Sequence, residues 1–200
     1  MDPKKERTLV IIKPEGIQRS LIGEIISRYE RSGLKLVAMK MAVPTTALVE
    51  SHYLVNPEWL VKVGNKAISA YEKKGMEAPN KNPEEAGRRV LDGLKKYFTS
   101  GPVVAMVWQG IGAVPVVRKI TGSTEPASSD VGTIRGDLTI DSYLLADADG
   151  RAVRNLVHAS GNTDEAEKEI SLWFRPEELI SYRLISESML YDVNLDGILE

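Results

Sequence analysis

Four short apolar runs divide the chain and predict the strands of a sheet. They are "TLVII" at 8–12, "LKLVAMKMAV" at 34–43, "GPVVAMVW" at 101–108 and "NLVHAS" at 155–160. β-branched and long apolar residues dominate the runs, which is typical of buried strands. The second run is apolar on both of its alternations, so we expect it to be an interior strand.

Apolar residues between these runs recur at helical spacing. Ile22, Ile25, Ile26 and Tyr29 lie at i, i+3, i+4 and i+7, which predicts an amphipathic helix that ends near Gly33. Similar stripes predict two longer helices, one after each "NP" pair, and a shorter helix with a proline in its first turn. The two longer patterns follow the pairs at 56–57 and 82–83, and the shorter one covers 113–120.

Capping residues and turn residues refine the boundaries. Thr45 or Thr46 can cap a helix that carries His52 and Tyr53. A capping-box spacing, with Asn in place of Ser or Thr, begins the last long helix at 162–165. The turn signal "DADGR" predicts two short strands around it, within 138–157. The segment before it, "TGSTEPASSDVGTIRGD", has no periodicity, and long irregular loops are often functional.

The order of these elements favours one fold class. Strand–helix–strand–strand–helix–strand is the ferredoxin-like βαββαβ pattern, an α+β arrangement with a four-stranded antiparallel sheet and helices on one face. A doubly wound parallel sheet is the alternative, and the order of elements does not exclude it. A chain of 200 residues is consistent with a single domain over 1–200.

Composition limits the chemistry that is open to the protein. The chain has no cysteine, which excludes disulfides, thiolate metal sites and thiol nucleophiles. A net charge of -2 gives no general attraction to nucleic acid or to an acidic membrane, so anion binding requires a local basic cluster. No stretch approaches the roughly 18 apolar residues of a membrane span. We therefore expect a cytoplasmic protein without a membrane or nucleic-acid partner.

Several polar residues could bind phosphate at strand ends and in the irregular loop. The chain has neither a Walker A motif nor a GxGxxG motif, so a nucleotide site would depend on side chains. Arginine offers a planar fork to phosphate oxygens, lysine a point charge, and Thr and Asn neutral hydrogen bonds. Any one of them alone is more often a solvated surface residue. The candidates are Lys13, Arg118, Thr124, Arg135 and Asn155.

His158 is the candidate nucleophile, although a histidine after a short apolar run is more often structural. Glu169 lies in the helix that follows and could reach the imidazole directly or through Ser160. Such a carboxylate would fix the orientation and tautomer of the ring. The alternative is an ordinary exposed glutamate in an E-K-E helix.

A resident metal site is not expected. The two histidines are far apart in the sequence, and there is no cysteine, which argues against zinc. The segment "DVNLDGILE" at 192–200 imitates the start of an EF-hand, but the glutamate that the loop requires six residues after its glycine is missing. We interpret this segment as a polar tail. Mg²⁺ could still arrive with the phosphates of a nucleotide.

Several sequence blocks together resemble the nucleoside diphosphate kinase family. They are "ERTLVIIKPEGIQRSLIGEIISRYERSGLKLVAMKM", "SGPVVAMVWQG", "GSTEPASSDVGTIRGD" and "AEKEISLWFRPEEL", in the family's order. The family signature N-x-x-H-x-S stands here as "NLVHAS". The resemblance implies a ferredoxin-like α/β sandwich. It also implies transfer of the γ-phosphate of a nucleoside triphosphate, typically ATP, to a nucleoside diphosphate, with Mg²⁺, which balances the NTP and dNTP pools.

The resemblance also implies a role for each matched residue. His158 matches the histidine that is phosphorylated in a ping-pong mechanism, and Ser160 and Glu169 match the pair that orients it. Lys13 matches a lysine that neutralises the phosphates, and Tyr53 a tyrosine beside it. The matched ligands of the polyphosphate and ribose are Arg118, Thr124, Arg135 and Asn155. The family forms hexamers or tetramers, so the resemblance implies a homo-oligomer acting on ribo- and deoxynucleotides.

The sequence departs from the family pattern at three places. Gly161 stands where the family usually has Asp after the signature serine. A helical insertion is expected at about 56–90, and our alignment places Leu91 where the family has an aromatic residue that stacks on the base. A second insertion, at about 139–153, is expected to form a hairpin. Neither insertion has an assigned function.

The sequence argues against two other functions. A kinase-like fold that serves only as an interaction or regulatory module is disfavoured, because the nucleophile and every charged ligand are present. A ferredoxin-like nucleic-acid-binding domain would need exposed aromatic residues on adjacent strands, which are not found.

Overall fold

A four-stranded antiparallel sheet forms the centre of the computed structural model, which describes residues 3–73 and 75–191. The strands are β1 (Glu6–Ile12), β2 (Lys35–Ala42), β3 (Val103–Gly110) and β4 (Val157–Ala159), in the spatial order β2-β3-β1-β4. Every neighbouring pair is antiparallel. This confirms the ferredoxin-like prediction and rules out the doubly wound parallel sheet.

Helices cover both faces of the sheet, not one face as expected. Residues 8–12 of β1 are fully buried, so both alternations of this strand need a cover. Leu9 and Ile11 pack in one core cluster with Phe98 and Trp173, whereas Val10 and Ile12 belong to a second cluster on the opposite face. The apolar pattern on both alternations of β1 is explained by two helical layers, which the one-sided expectation did not include.

The helices connect and flank the strands along the chain. Short 3-10 turns occur at Pro3–Lys5, Pro126–Ser128 and Pro176–Glu178. The α-helices in the described residues are α1 (Pro14–Gln18), α2 (Ile22–Glu30), α3 (Thr46–Tyr53), α4 (Trp59–Lys73), α5 (Pro83–Phe98), α6 (Ala113–Thr121), α7 (Ile134–Leu138), α8 (Tyr143–Ala148), α9 (Thr163–Trp173) and α10 (Glu187–Leu190).

The predicted interior position of the second strand was wrong. β2 lies at one edge of the sheet and pairs only with β3 among the described strands. Met39 and Met41 are more than half exposed on this strand. Methionine is apolar enough to imitate a buried alternation in the sequence, but here it lines a sheet edge.

Side-chain caps begin the helices where the sequence predicted them. The Thr45 hydroxyl accepts a hydrogen bond from the backbone N–H of Leu48, at 3.1 Å, so Thr45 is the cap of α3. Asn162 accepts from the N–H of Glu165 at 2.9 Å and caps α9. Each contact satisfies a backbone donor that a helix N-terminus otherwise leaves unpaired.

The two predicted long helices between residues 56 and 98 form a closely packed antiparallel pair, α4 and α5. Glycines permit the close approach, because a Cβ at Gly64 would collide with the backbone of Pro83, and one at Gly87 with the backbone of Leu60. The helical character predicted for 56–90 is therefore correct. Its status as an insertion stays a prediction.

The predicted hairpin at 139–153 was wrong, because the segment forms α8. The Ser142 hydroxyl accepts from the N–H of Leu145 at 3.2 Å and starts the helix. Gly150, with φ of 62°, follows its C-terminal end. The Asp141 carboxylate pairs with Arg151 at 2.7 Å and draws the two ends of the segment together. The glycine of "DADGR" thus ends a helix instead of turning a hairpin.

The segment "DVNLDGILE" at 192–200, interpreted above as a polar tail, lies outside the described residues. Within 3–73 and 75–191, no helix combines the length and the apolar character that a membrane crossing requires.

Candidate active site

His158 lies on β4 and contacts the side chain of Glu169 from α9. Its Nε2 atom is 3.1 Å from Glu169 Oε2, and the carboxylate is nearly fully buried. The Ser160 hydroxyl donates to the same carboxylate oxygen at 2.6 Å. The backbone N–H of Leu9 donates to the Ser160 oxygen at 3.2 Å, which ties the group to the central strand. Glu169 thus contacts the imidazole directly and also accepts from Ser160.

This contact defines the tautomer of the His158 ring. An ionised carboxylate only accepts hydrogen bonds, so Nε2 carries the proton and Nδ1 keeps its lone pair. Burial alone would raise the pKa of Glu169, but His158 and the Ser160 hydrogen bond outweigh it and lower that pKa below its ordinary value. No described residue hydrogen-bonds Nδ1, and the His158 side chain is 15% exposed. Nδ1 is therefore the ring atom available for nucleophilic attack.

Aromatic rings surround His158 on the side of α3. The ring of His52 meets it edge to face with centroids 4.3 Å apart, and the ring of Tyr53 does so at 6.2 Å. Tyr53 also packs against Phe98 at 5.7 Å and Trp59 at 5.0 Å. Burial raises the pKa of the Tyr53 hydroxyl far above its ordinary value, so the phenol stays neutral. These contacts hold the imidazole plane in place.

A chain of hydrogen bonds links Lys13, Asn155 and Thr124. The Lys13 ammonium donates to Asn155 Oδ1 at 2.6 Å, and Asn155 Nδ2 donates to the backbone carbonyl of Thr124 at 2.8 Å. The backbone N–H of Lys13 donates to the carbonyl of Leu156, which adopts a left-handed φ of 61°. The end of β1 is thereby attached to the start of β4. Three of the predicted phosphate ligands therefore lie together.

Lys13 is a poorly stabilised cation in the absence of an anion. Its side chain is only 3% exposed, and the ammonium lies 5.1 Å from the ring centres of Tyr97 and Phe98. Burial, together with the charge of Arg135, lowers the pKa of Lys13 to about 7. A bound phosphate would supply the negative charge that this site lacks.

The two predicted arginines differ in their surroundings. Arg135 is buried and donates to the backbone carbonyls of Gly122, Ser123, Asn155 and Val157. Four of its five N–H donors are engaged in this way, which leaves one for a ligand. Burial and the neighbouring charge of Arg118 lower its pKa to about 10.

Arg118 itself is exposed on α6. It lines a shallow cleft with Val114, Pro115 and residues 161–163. Its guanidinium has no hydrogen-bond partner among the described residues, so it is free to bind an anion.

The position assigned to Leu91 was wrong. Leu91 is 2% exposed and belongs to the core cluster that contains Phe98 and Trp173, so it has no surface to offer a base. The side of α5 that carries Leu91 faces the core. The alignment matched Leu91 to a family position without showing which side of the helix faces inward. Thr124, by contrast, is exposed.

Three residues near the site were missed or given no role from the sequence. Tyr143, from α8, lies near Thr124, and burial raises the pKa of its hydroxyl. The Tyr97 hydroxyl donates to Glu15 at 3.0 Å beside Lys13. From the sequence, His52 was predicted to lie on a helix with Tyr53 and was given no role. Its position directly before Tyr53, a predicted site residue, was a signal that it lies close to the site. Nothing in the sequence signals the position of Tyr143.

Gly161 leaves space that Glu165 uses. A Cβ at this position would overlap the Glu165 carboxylate, which also accepts a hydrogen bond from Asn56 at 3.0 Å. An aspartate here would require Glu165 to move. The glycine removes no contact to His158, Ser160 or Glu169.

The residues at the site do not form a carboxylate cage for Mg²⁺. In the described part of the chain, one group of three or more potential ligands has its atoms close enough to hold an ion, namely His52, His158 and Glu169. Mg²⁺ prefers oxygen ligands in octahedral geometry, and this group offers two nitrogens. The basic side chains instead favour a phosphate that brings its own cation.

Known proteins that are similar to this chain share one family description. The family model for nucleoside diphosphate kinase matches residues 6–59 and 65–179. The chain is 49% identical over 179 residues to a nucleoside diphosphate kinase of Pyrobaculum aerophilum, covering 88% of this chain and 98% of that protein. It is 38% identical over 187 residues to nucleoside diphosphate kinase A of the dog, Canis lupus familiaris, covering 94% and 97%.

Solved structures show the same relationship. The crystal structure of an NDP kinase from Pyrobaculum aerophilum superposes with a TM-score of 0.85 at 46% identity, covering 88% of this chain and 100% of that chain. A transition-state mimic of the Borrelia burgdorferi nucleoside-diphosphate kinase, with bound vanadate and ADP, gives 0.76 at 33% identity, covering 94% and 97%. The chain belongs to the nucleoside diphosphate kinase family.

Proposed function

We propose that the protein transfers the γ-phosphate of a nucleoside triphosphate to a nucleoside diphosphate through a phosphorylated His158. The observation that carries the proposal is the free Nδ1 atom of His158, on a ring whose other nitrogen is held by Glu169. A buried carboxylate beside Nε2 stabilises the positive charge that the imidazole acquires while Nδ1 attacks. Family membership supports the same reaction.

The reaction has two mirrored steps. First, the Nδ1 lone pair of His158 attacks the γ-phosphorus, the bond from that phosphorus to the bridging oxygen breaks, and the nucleoside diphosphate leaves. Then the terminal oxygen of a second nucleoside diphosphate attacks the same phosphorus, the N–P bond breaks, and His158 regains its lone pair. Both steps require positioning and charge neutralisation, which a single basic pocket can supply to donor and acceptor in turn.

The basic side chains divide the task of holding the phosphates. A bound anion favours the protonated form of Lys13, because its negative charge compensates for the hydration that the buried amine has lost. Arg118 offers its free guanidinium, and Arg135 offers one remaining N–H. Asn155 and Thr124 add neutral hydrogen bonds, and Tyr53 packs against the ring of His158.

Mg²⁺ belongs to the substrate in this proposal. It would neutralise phosphate charge when it is bound to the nucleotide, and the residues that the structure describes offer no carboxylate cage for it. Base selectivity should be low, because none of the proposed ligands reads the edge of a base, and the use of both ribo- and deoxynucleotides stays a prediction. The cytoplasmic location and the hexameric or tetrameric assembly stay predictions.

A transfer assay tests the proposal. We expect purified protein to convert ATP and GDP into ADP and GTP in the presence of Mg²⁺. The His158→Ala variant should have no measurable activity and an unchanged unfolding midpoint. Equal activity in that variant would refute the role of His158.

A further inference from the structure

His52 is a buried polar residue to which the mechanism above gives no task. Its side chain is fully buried between the rings of His158, Tyr53 and Trp173. Burial, with the nearby His158 ring, lowers the pKa of His52 to about 3. The ring is therefore neutral wherever the enzyme is folded near neutral pH. A buried polar group of this kind needs hydrogen-bond partners, or it costs free energy.

One of its two nitrogens has an unambiguous partner. The indole Nε1 of Trp173 lies 3.2 Å from His52 Nδ1. An indole N–H can only donate, so Nδ1 must be the acceptor. In a neutral imidazole the proton then sits on Nε2. Trp173 consequently fixes the tautomer of His52.

The protonated nitrogen points towards the catalytic carboxylate. His52 Nε2 is fully buried and has no hydrogen-bond partner among the described residues. Its nearest charged neighbour is Oε1 of Glu169, at 4.0 Å. The other carboxylate oxygen, Oε2, already accepts from His158 and Ser160. The two oxygens of Glu169 thus face two different histidines.

A metal ion is not the missing partner. His52, His158 and Glu169 lie close enough together to suggest one. A metal would need the lone pair of His52 Nε2, but that atom carries the proton as long as Trp173 donates to Nδ1. The geometry favours an N–H donor directed at a carboxylate.

We infer that His52 is a positioning residue, whose Nε2–H attracts Oε1 of Glu169 and thereby keeps Oε2 directed at Nε2 of His158. This inference rests on the proposed function. The edge-to-face contact of the two imidazoles, with centroids 4.3 Å apart, supports the same orientation. In this role His52 acts only through Glu169 and the His158 ring. Its neutrality matters, because a second cation beside His158 would oppose the charge that develops there during attack.

Three variants separate this role from simple packing. His52→Phe keeps a ring of similar size and removes both polar functions. His52→Gln keeps one acceptor for Trp173 and one N–H donor for Glu169. Trp173→Phe keeps His52 but removes the N–H that donates to its Nδ1, so either tautomer of His52 becomes possible. The measurements are the kcat and KM for transfer from ATP to GDP, and the ¹⁵N NMR signals that report the tautomer of His158.

The expected results are specific to positioning. His52→Phe should lower kcat about tenfold, with KM within about twofold, because the loss affects the transition state rather than binding. His52→Gln should recover most of that loss. The His158 signals should change from the Nε2–H tautomer in the wild type to a mixture in His52→Phe, and partly so in Trp173→Phe.

Two results would overturn the inference. One is a kcat for His52→Phe within twofold of the wild type. The other is an unchanged Nε2–H tautomer of His158 in folded His52→Phe, whatever its stability. Neither result touches the proposed function, which fails only if wild-type protein does not become phosphorylated on His158.

Discussion

The Nε2 atom of His158 lies 3.1 Å from Oε2 of Glu169, and this contact distinguishes the two nitrogens of the ring. Nε2 is occupied as a donor, so phosphorylation is expected on Nδ1. NMR of the phosphorylated protein, with ³¹P and ¹⁵N detection, would identify the N–P bond directly. A phosphoryl group on Nε2 would show that the carboxylate contact breaks before attack.

The charge of Glu169 should matter more than its shape. We expect Glu169→Gln to lower kcat about a hundredfold with little change in KM, because a neutral amide does not stabilise the developing imidazolium. The matched control is Glu167→Gln on the same helix, which loses only a half-exposed ion pair with Arg7. Equal losses in the two variants would remove Glu169 from the mechanism.

Nucleotide affinity should fall as the pH rises through about 7. Phosphate binding favours protonated Lys13, whose pKa is about 7 in the ligand-free protein. Affinity is therefore constant below this pH, and the KM rises by up to about tenfold per pH unit above it. The Lys13→Met variant should bind more weakly and lose this pH dependence. A rise of KM that persists in Lys13→Met would assign it to another group.

The two arginines should fail in different ways when each is replaced by alanine. Arg118→Ala should weaken nucleotide binding and slow transfer while the unfolding midpoint stays unchanged, because this side chain is exposed and unpartnered. Arg135→Ala leaves four backbone carbonyls without their donor, so we expect a loss of about 3 kcal/mol in the free energy of unfolding. Urea unfolding and steady-state kinetics on both variants would check this contrast. Similar unfolding curves for both would contradict it.

The sheet and most of the site could be predicted because their signals are local. Each strand is a short apolar run, and β1 is apolar on both alternations because it lies between two helical layers. Lys13 and Asn155 each stand at the end or start of such a run, so the antiparallel pairing of β1 with β4 brings them together. Glu169 could be predicted in the same way, because it lies on the helix that directly follows the strand of His158.

The errors arose where tertiary packing decided between local alternatives. The segment 139–153 contains a turn signal, but the cap at Ser142 and the Asp141–Arg151 pair favour a helix. Leu91 belongs to the apolar stripe of α5, and the packing of this stripe in the core cluster with Phe98 and Trp173 directs Leu91 inward. The role of His52 depends on Trp173, which lies 121 residues away in the sequence.

The central claim is that His158 carries the phosphoryl group between two nucleotides. The most direct measurement is incubation with γ-labelled ATP and Mg²⁺, followed by mapping of the label and a chase with unlabelled GDP or dCDP. We predict an acid-labile, base-stable label on His158 that is discharged onto either acceptor, and no label on His158→Ala. Failure of the wild type to take up label, or equal labelling of His158→Ala, would contradict the account.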